Sequence, residues 1–259
     1  MSDNELFALT LTVLAGLATT AGSLIAFFTE RTNTKLLASS LGFSAGVMIY
    51  VSMVELYTKA FEFTHSAYGV RWGNAIAAIS FFAGMLLIGI IDYVVPSAEG
   101  DIGCVGENKA DPLKKMGIIM AMSMAVHNFP EGLVTFTSSL KDTKMGVMIA
   151  LAIAIHNIPE GMAASMPVYF ATGNRKKAFM LSFMSGITEP LGAIAGYMFL
   201  RPYLDGGAMG IMFGMVAGIM MFISIEELLP MAREYEKSKL TILSVVGGML
   251  VMALSLVMF

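Results

Sequence analysis

Long apolar stretches, separated by short polar segments, make up most of this chain of 259 residues. Eight of the stretches have about the 20 residues that an α-helix needs to cross a bilayer. They predict membrane-spanning helices near residues 6–28, 36–57, 75–95, 116–140, 145–170, 178–200, 206–229 and 240–259. Two longer polar segments, residues 58–74 and 96–115, are expected to be loops. The pattern therefore predicts an all-α polytopic membrane protein with one transmembrane domain over residues 1–259.

Composition supports a membrane protein and argues against other classes. Hydrophobic residues make up 56% of the chain and charged residues only 14%, which is too apolar for a soluble domain. The basic residues are few and scattered, so no nucleic-acid partner is expected. The single cysteine, Cys104, excludes an intramolecular disulfide and a cysteine-rich metal site.

The distribution of lysine and arginine predicts the orientation, because cytoplasmic loops of membrane proteins carry an excess of both. If the N-terminus lies outside, eleven of the 16 Lys and Arg residues fall on the cytoplasmic side. Three of them, Lys109, Lys114 and Lys115, lie in the segment 96–115. We therefore expect both termini to be extracytoplasmic and the segment 96–115 to be a cytoplasmic loop.

An internal repeat relates the second and seventh predicted helices. Residues Gly42–Leu56 and Gly214–Leu228 match without a gap at seven of fifteen positions. Because four helices lie between them, the two segments cross the membrane in opposite directions. This pattern predicts an inverted repeat of three helices, two central helices and three more, an arrangement in which transporters bind substrate near the membrane midplane.

Two near-identical hexapeptides, HNFPEG at residues 127–132 and HNIPEG at 156–161, lie in the middle of the fourth and fifth predicted helices. In a helix, His127 and Glu131 stand one turn apart on the same face, with Asn128 beside them, and the second hexapeptide repeats this arrangement. Ionisable side chains at this depth are costly and normally face a partner or a watery cavity. The pattern therefore predicts a site for a metal dication between the two helices.

At these residues the chain resembles the ZIP (Zrt/Irt-like protein) family of divalent metal transporters. The resemblance rests on the two hexapeptides, on SGITEPLG at residues 185–192, and on the Glu-Leu endings of the second and seventh helices. It covers essentially all eight predicted helices. It is closest to a bacterial branch of broad specificity, because both central helices carry the full motif. The resemblance implies an eight-helix bundle in the bacterial cell (inner) membrane.

The same resemblance implies a two-metal site between the fourth, fifth and sixth helices. Glu131 and Glu160 would bridge the two ions. His127 and His156 would favour one ion. The second ion would take further ligands from Asn128, Asn157 and Glu189.

The ligand types also indicate which ions would bind. Imidazole nitrogen mixed with carboxylate and amide oxygen suits Zn²⁺, Fe²⁺, Mn²⁺, Co²⁺ and Cd²⁺. Cu⁺ would prefer sulfur, and Ca²⁺ or Mg²⁺ would rarely select histidine. We expect such ions as transported substrate, with loose selectivity and no prosthetic group.

Five further residues are candidates for the ion pathway. Glu55 lies near the outer end of its helix and is a candidate for receiving ions, whereas Glu226 and Glu227 lie near the inner end of theirs and are candidates for release. Asp92 lies near an inner helix end. For each of these acids, a solvated carboxylate at a helix end is the alternative. Met48 is a candidate soft ligand by its resemblance to a methionine of some family members, and ordinary core packing is its alternative.

The leading interpretation is a carrier, not an enzyme, that brings divalent metal into the cytosol by alternating exposure of the central site. A cation channel is the main alternative, and saturable uptake distinguishes the carrier from it. An intramembrane metalloprotease is less well supported, because neither His127 nor His156 begins a His-Glu-x-x-His motif. The protein's partners are expected to be metal ions and the lipid bilayer. The oligomeric state is open, with a homodimer as one candidate.

Overall fold

A computed structural model describes residues 2–28, 30, 33–94, 110–200, 206–236 and 239–258. Nearly all of the described residues are helical, and no strand occurs among them. The helices are α1 (Asp3–Ser23), α2 (Thr34–Tyr50), α3 (Tyr57–Val94), α4 (Ala110–Lys141), α5 (Thr143–Thr172), α6 (Arg175–Gly186), α7 (Thr188–Leu200), α8 (Gly206–Ile223), α9 (Leu229–Tyr235) and α10 (Lys239–Met258). The all-α prediction is confirmed for this part of the chain.

Short irregular turns join some of these helices into longer rods. A 3₁₀ turn, Leu24–Phe27, extends α1. π-helical turns connect α2 to α3 at Val51–Leu56 and α8 to α9 at Ser224–Leu228. Each π turn falls where the two repeated segments end in Glu-Leu, and π turns inside α-helices frequently mark functional positions.

Six helical segments in the described ranges are long and apolar enough to cross a membrane. They are Asp3–Phe27, Thr34–Ile91, Gly146–Thr172, Arg175–Phe199, Gly206–Tyr235 and Lys239–Val257. The segment Thr34–Ile91 contains two predicted helices, and α4 falls outside the six. These segments agree with a polytopic membrane protein.

The prediction of a loop at residues 58–74 is wrong. These residues are helical, and the chain reverses at Gly69, whose φ of 75° is easily adopted only by glycine. The rings of Tyr57 and Phe81 lie 5.0 Å apart, whereas 24 residues of straight helix would span about 36 Å. Beside the reversal, the Thr64 hydroxyl donates to the carbonyl oxygen of Gly73 at 3.0 Å. Two helices therefore meet in a tight hairpin, and their polar side chains resembled a loop in the sequence.

The other predicted loop, residues 96–115, is only partly described. Residues 96–109, including Cys104, lie outside the described residues. From Ala110 onward the chain is already helical, so the end of the predicted loop belongs to α4.

The central helices α4 and α5 pack extensively against each other, and the other helices pack on them or on one another. α1 packs on α5 and α7 on α4, while α3 packs on α8 and α2 on α10. Glycines allow the close approaches: Gly46 faces the carbonyl oxygen of Val245, and Gly218 faces that of Phe81. At both positions a small residue therefore serves close helix packing.

Replacing Gly218 by Ala is expected to destabilise the protein. The added Cβ would overlap the carbonyl oxygen of Phe81, and overpacking of this kind costs about 1–3 kcal/mol. We expect the apparent melting temperature of the detergent-purified protein to fall by about 5 °C. Gly247→Ala is the matched control, since a Cβ there would meet open space. Equal melting temperatures for the two variants would contradict the packing argument.

Candidate functional site

The two hexapeptides face each other at the contact between α4 and α5, and their histidines and glutamates pair crosswise. His127 Nε2 lies 3.1 Å from Glu160 Oε2, and His156 Nε2 lies 3.5 Å from Glu131 Oε1. All four side chains are at least 96% buried. The sequence predicted that these groups would share a site but did not predict that each imidazole would contact the carboxylate of the other helix.

Both motif asparagines are anchored through their amide nitrogens. Asn128 Nδ2 donates to the carbonyl oxygen of Ser185 at 3.3 Å, and Asn157 Nδ2 donates to that of Ala15 at 3.0 Å. Both amide oxygens are buried and have no hydrogen-bond partner. Each oxygen therefore has lone pairs that no hydrogen bond uses and that could bind a cation.

Glu189 reaches the same site from the start of α7. Its Oε1 accepts a hydrogen bond from Asn157 Nδ2, and its fully buried Oε2 has no hydrogen-bond partner. Gly132 brings α7 close to α4, because a Cβ at Gly132 would overlap the backbone of Glu189. Thus the carboxylate suggested by the SGITEPLG motif joins the two hexapeptides in space.

The seven side chains leave an unusual number of buried polar atoms unpaired. Buried polar groups are nearly always hydrogen-bonded, and an unpaired one costs free energy. The atoms without a hydrogen-bond partner are His127 Nδ1, Asn128 Oδ1, Glu131 Oε1 and Oε2, His156 Nδ1 and Nε2, Asn157 Oδ1, Glu160 Oε1 and Glu189 Oε2. Of these, Glu131 Oε1 and His156 Nε2 are in contact at 3.5 Å but do not form a hydrogen bond. The set consists of acceptor oxygens and imidazole nitrogens, the ligand types that a transition-metal dication prefers.

In this conformation the described residues contain no group of three or more His, Cys, Asp or Glu side chains converging on one point as a finished metal site. The crosswise pairs explain this, since each imidazole is directed at a carboxylate. A dication between them would have to separate at least one pair. The ligand set of the sequence analysis therefore stays a prediction.

A pocket leads from the surface to one side of this cluster. Glu55 and Lys59 lie at its more exposed end, with 12% and 27% of their side chains exposed, and Glu131 and His156 lie at its buried end. Apolar side chains such as Phe213 and Val216 form the walls. Glu55, predicted as an ion-receiving residue, thus shares a cavity with two of the proposed ligands.

The remaining predicted pathway residues lie elsewhere. Glu226 is exposed and Glu227 half-buried on the second π turn. Met48 is fully buried in the hydrophobic core, which agrees with its packing alternative. Asp92 lies in α3, but its side chain is outside the described part of the chain.

Lys59 is the residue of this region that the sequence analysis missed. Its Nζ lies 2.8 Å from Glu55 Oε1, four residues earlier on the same helical rod. A Glu and a Lys four residues apart are a recognisable helical pair. The spacing of Glu55 and Lys59 carries no such meaning if residues 58–74 are interpreted as a loop.

Comparison with known proteins identifies the family. A family model described as ZIP Zinc transporter matches residues 105–256. A protein of Lysinibacillus sphaericus named Zinc transporter ZupT is 52% identical, covering 100% of this chain and 99% of its own. Proteins of the same name from Streptococcus mutans and Clostridium perfringens are 51% and 50% identical, covering 100% and 99% of this chain and 100% and 97% of their own. With matches of this extent over its whole length, the chain belongs to the ZIP family of metal transporters.

Proposed function

We propose that this protein takes up Zn²⁺ across the bacterial cell (inner) membrane into the cytosol, using the cluster between α4, α5 and α7. The observation that carries the proposal is the cluster of seven buried polar side chains, each of which has an atom of a metal-ligating type without a hydrogen-bond partner. The zinc transporters to which the chain is about half identical over its full length support zinc as the substrate. The ligand chemistry would also admit Fe²⁺, Mn²⁺, Co²⁺ and Cd²⁺.

The site is proposed to hold two ions. Glu131 and Glu160 bridge them, since these carboxylates come from opposite helices and have oxygens without hydrogen-bond partners. His127 and His156 complete the coordination of one ion once their contacts with Glu160 and Glu131 are broken. The amide oxygens of Asn128 and Asn157, together with Glu189, serve the other ion.

The proposed architecture has eight membrane-spanning helices in a 3+2+3 inverted repeat, with both termini outside. The contacts of the two motif asparagines support it. Asn128 and Asn157 hold equivalent places in the hexapeptides, and they donate to Ser185 and Ala15 at the contacts with α6 and α1. The next residues, Gly186 and Gly16, pack backbone to backbone against each other. Equivalent bonds from two halves, meeting at one contact, are what a two-fold relation between the halves would produce.

The second and seventh spans share a serine hydrogen bond within their π turns. Ser52 donates to the carbonyl oxygen of Met48 at 2.6 Å, and Ser224 donates to that of Met220 at 2.7 Å. These four residues are aligned in the repeat, and each serine lies in a π turn. The local distortion of the helix has therefore been kept in both halves, which supports the inverted repeat.

A difference between the halves supports alternating access. On the proposed outer side, Pro130 and Val216 line the pocket. Their counterparts in the repeat are Pro159 and Ser44, which are buried and joined by a 2.6 Å hydrogen bond from the Ser44 hydroxyl to the carbonyl oxygen of Pro159. One side of the cluster is thus accessible and the related side packed shut. Exchange of these two states would carry ions across the membrane.

Zinc uptake into proteoliposomes tests this function. We expect uptake to saturate with external zinc, because each ion must occupy the buried site before the protein changes state. A zinc-sensitive dye inside the vesicles gives the rate, and protein-free vesicles are the control. Zinc currents that rise linearly with concentration would instead favour a channel. The family membership argues against a metalloprotease, since ZIP family proteins are transporters and not enzymes.

A further inference from the structure

Lys59 places a positive charge in the pocket through which zinc is proposed to enter. Its ammonium contacts Glu55 at 2.8 Å and lies 5.8 Å from the centre of the Phe213 ring, so it is bounded by a carboxylate and an aromatic face. All three residues line the same cavity as Glu131 and His156. A dication moving inward therefore has to pass this ammonium.

The lysine occupies only part of the Glu55 carboxylate. One carboxylate oxygen contacts Lys59, while Oε2 is buried and has no hydrogen-bond partner. An acceptor oxygen left unpaired inside a pocket is a binding point for a cation. The ammonium and an entering metal ion would thus compete for one carboxylate.

The two halves of the molecule differ at this position. In the aligned segments Glu55 corresponds to Glu227, and four residues later Lys59 corresponds to Met231. The carboxylate within the π turn is present in both halves, but the ammonium is present only beside the open pocket. Helix geometry does not require the lysine there, because the related helix continues through a methionine.

We propose that Lys59 is a tethered competitor at the entrance, and that its ammonium occupies Glu55 until an incoming dication displaces it. This inference rests on the proposed zinc uptake and deepens it. The ammonium cancels much of the attraction of Glu55 for metal. As a result, ions bind weakly at the entrance and pass on to the site. The lysine sets the metal concentration at which uptake is half-maximal and does not itself hold the ion.

The test compares the zinc dependence of proteoliposome uptake in wild type and Lys59→Met. Methionine has similar length, no charge, and occupies the related position in the other half. Removing a unit charge beside a dication is expected to lower KM about five-fold while Vmax changes less than about two-fold. Lys59→Arg should keep the wild-type KM. Lys144→Met, which removes an exposed lysine that does not line the pocket, is the control for general surface charge.

Glu55→Gln provides the second arm. In that background the lysine has no carboxylate to occupy, so adding Lys59→Met should change KM by less than about two-fold. A five-fold decrease in this background, or an unchanged KM in the single variant, would overturn the proposal. So would a fall in Vmax and melting temperature at constant KM, which would indicate a structural role. Absence of zinc uptake by the wild type would refute the proposed function itself, a result distinct from these.

Discussion

Zinc uptake is expected to fall at least about 100-fold when Glu131 and Glu160 are both replaced by alanine. Each carboxylate is buried, faces the other motif and has an oxygen without a hydrogen-bond partner. Loss of both would remove the only bridging ligands of the proposed site and leave His127 and His156 without their acidic neighbours. Even changes in the groups that support a metal's ligands weaken binding about 10–100-fold, so loss of two ligands should exceed that.

Initial rates in proteoliposomes and bound zinc in the purified protein measure the effect. Glu62→Ala is the matched control, because this glutamate is exposed and does not line the pocket that leads to the cluster. Glu131→Gln with Glu160→Gln keeps the side-chain volume, so it separates a loss of charge from a failure to fold. Wild-type uptake in the double alanine variant would refute the assignment of Glu131 and Glu160 as metal ligands.

Glu189→Ala is expected to reduce bound zinc from about two ions per chain to about one, and to slow uptake about ten-fold. In the proposed site Glu189 serves only the ion held by the asparagines. Its carboxylate is fully buried and contacts Asn157. The bridging carboxylates and the histidines are untouched, so one ion should still bind.

The position that corresponds to Glu189 in the proposed inverted repeat provides the control for this substitution. Gly132 packs against the backbone of Glu189, and the corresponding Gly161 packs against that of Thr19. Thr19→Ala therefore makes a small truncation at the equivalent place and should leave two ions bound. Mass-spectrometric metal analysis of the purified proteins measures both. An unchanged zinc content in Glu189→Ala would argue for a single-ion site without this ligand.

Local sequence features made the family and helical character predictable. A run of about twenty apolar residues has few stable forms in a bilayer other than a helix, because its backbone groups must be satisfied within the segment. The two hexapeptides place His127 near Glu131 and His156 near Glu160 by helix geometry alone. Because the motifs are short and local, a few residues were enough to state the ZIP resemblance, which the family match confirms.

The hairpin at Gly69 shows where this reasoning failed. The segment carries Lys59, Glu62, His65 and Arg71, and its polarity was interpreted as a loop. Polarity reports contact with water and does not by itself separate a loop from a helix that extends beyond the bilayer. The packing of Tyr57 against Phe81, together with the hydrogen bond from Thr64 to Gly73, reveals that the helix continues, reverses and returns.

The sequence by itself determined which polar and ionisable side chains lie within the apolar helices. It also determined which helix faces carry them, because spacing along a helix is set by backbone geometry. Tertiary structure alone decided which groups meet: His127 with Glu160, His156 with Glu131, and Lys59 with the wall of the entrance pocket. The physical reason is that contacts between helices depend on how far each helix slides and turns against its neighbours. Close backbone approaches at residues such as Gly132 and Gly161 set those displacements, and they exist only once the helices have packed.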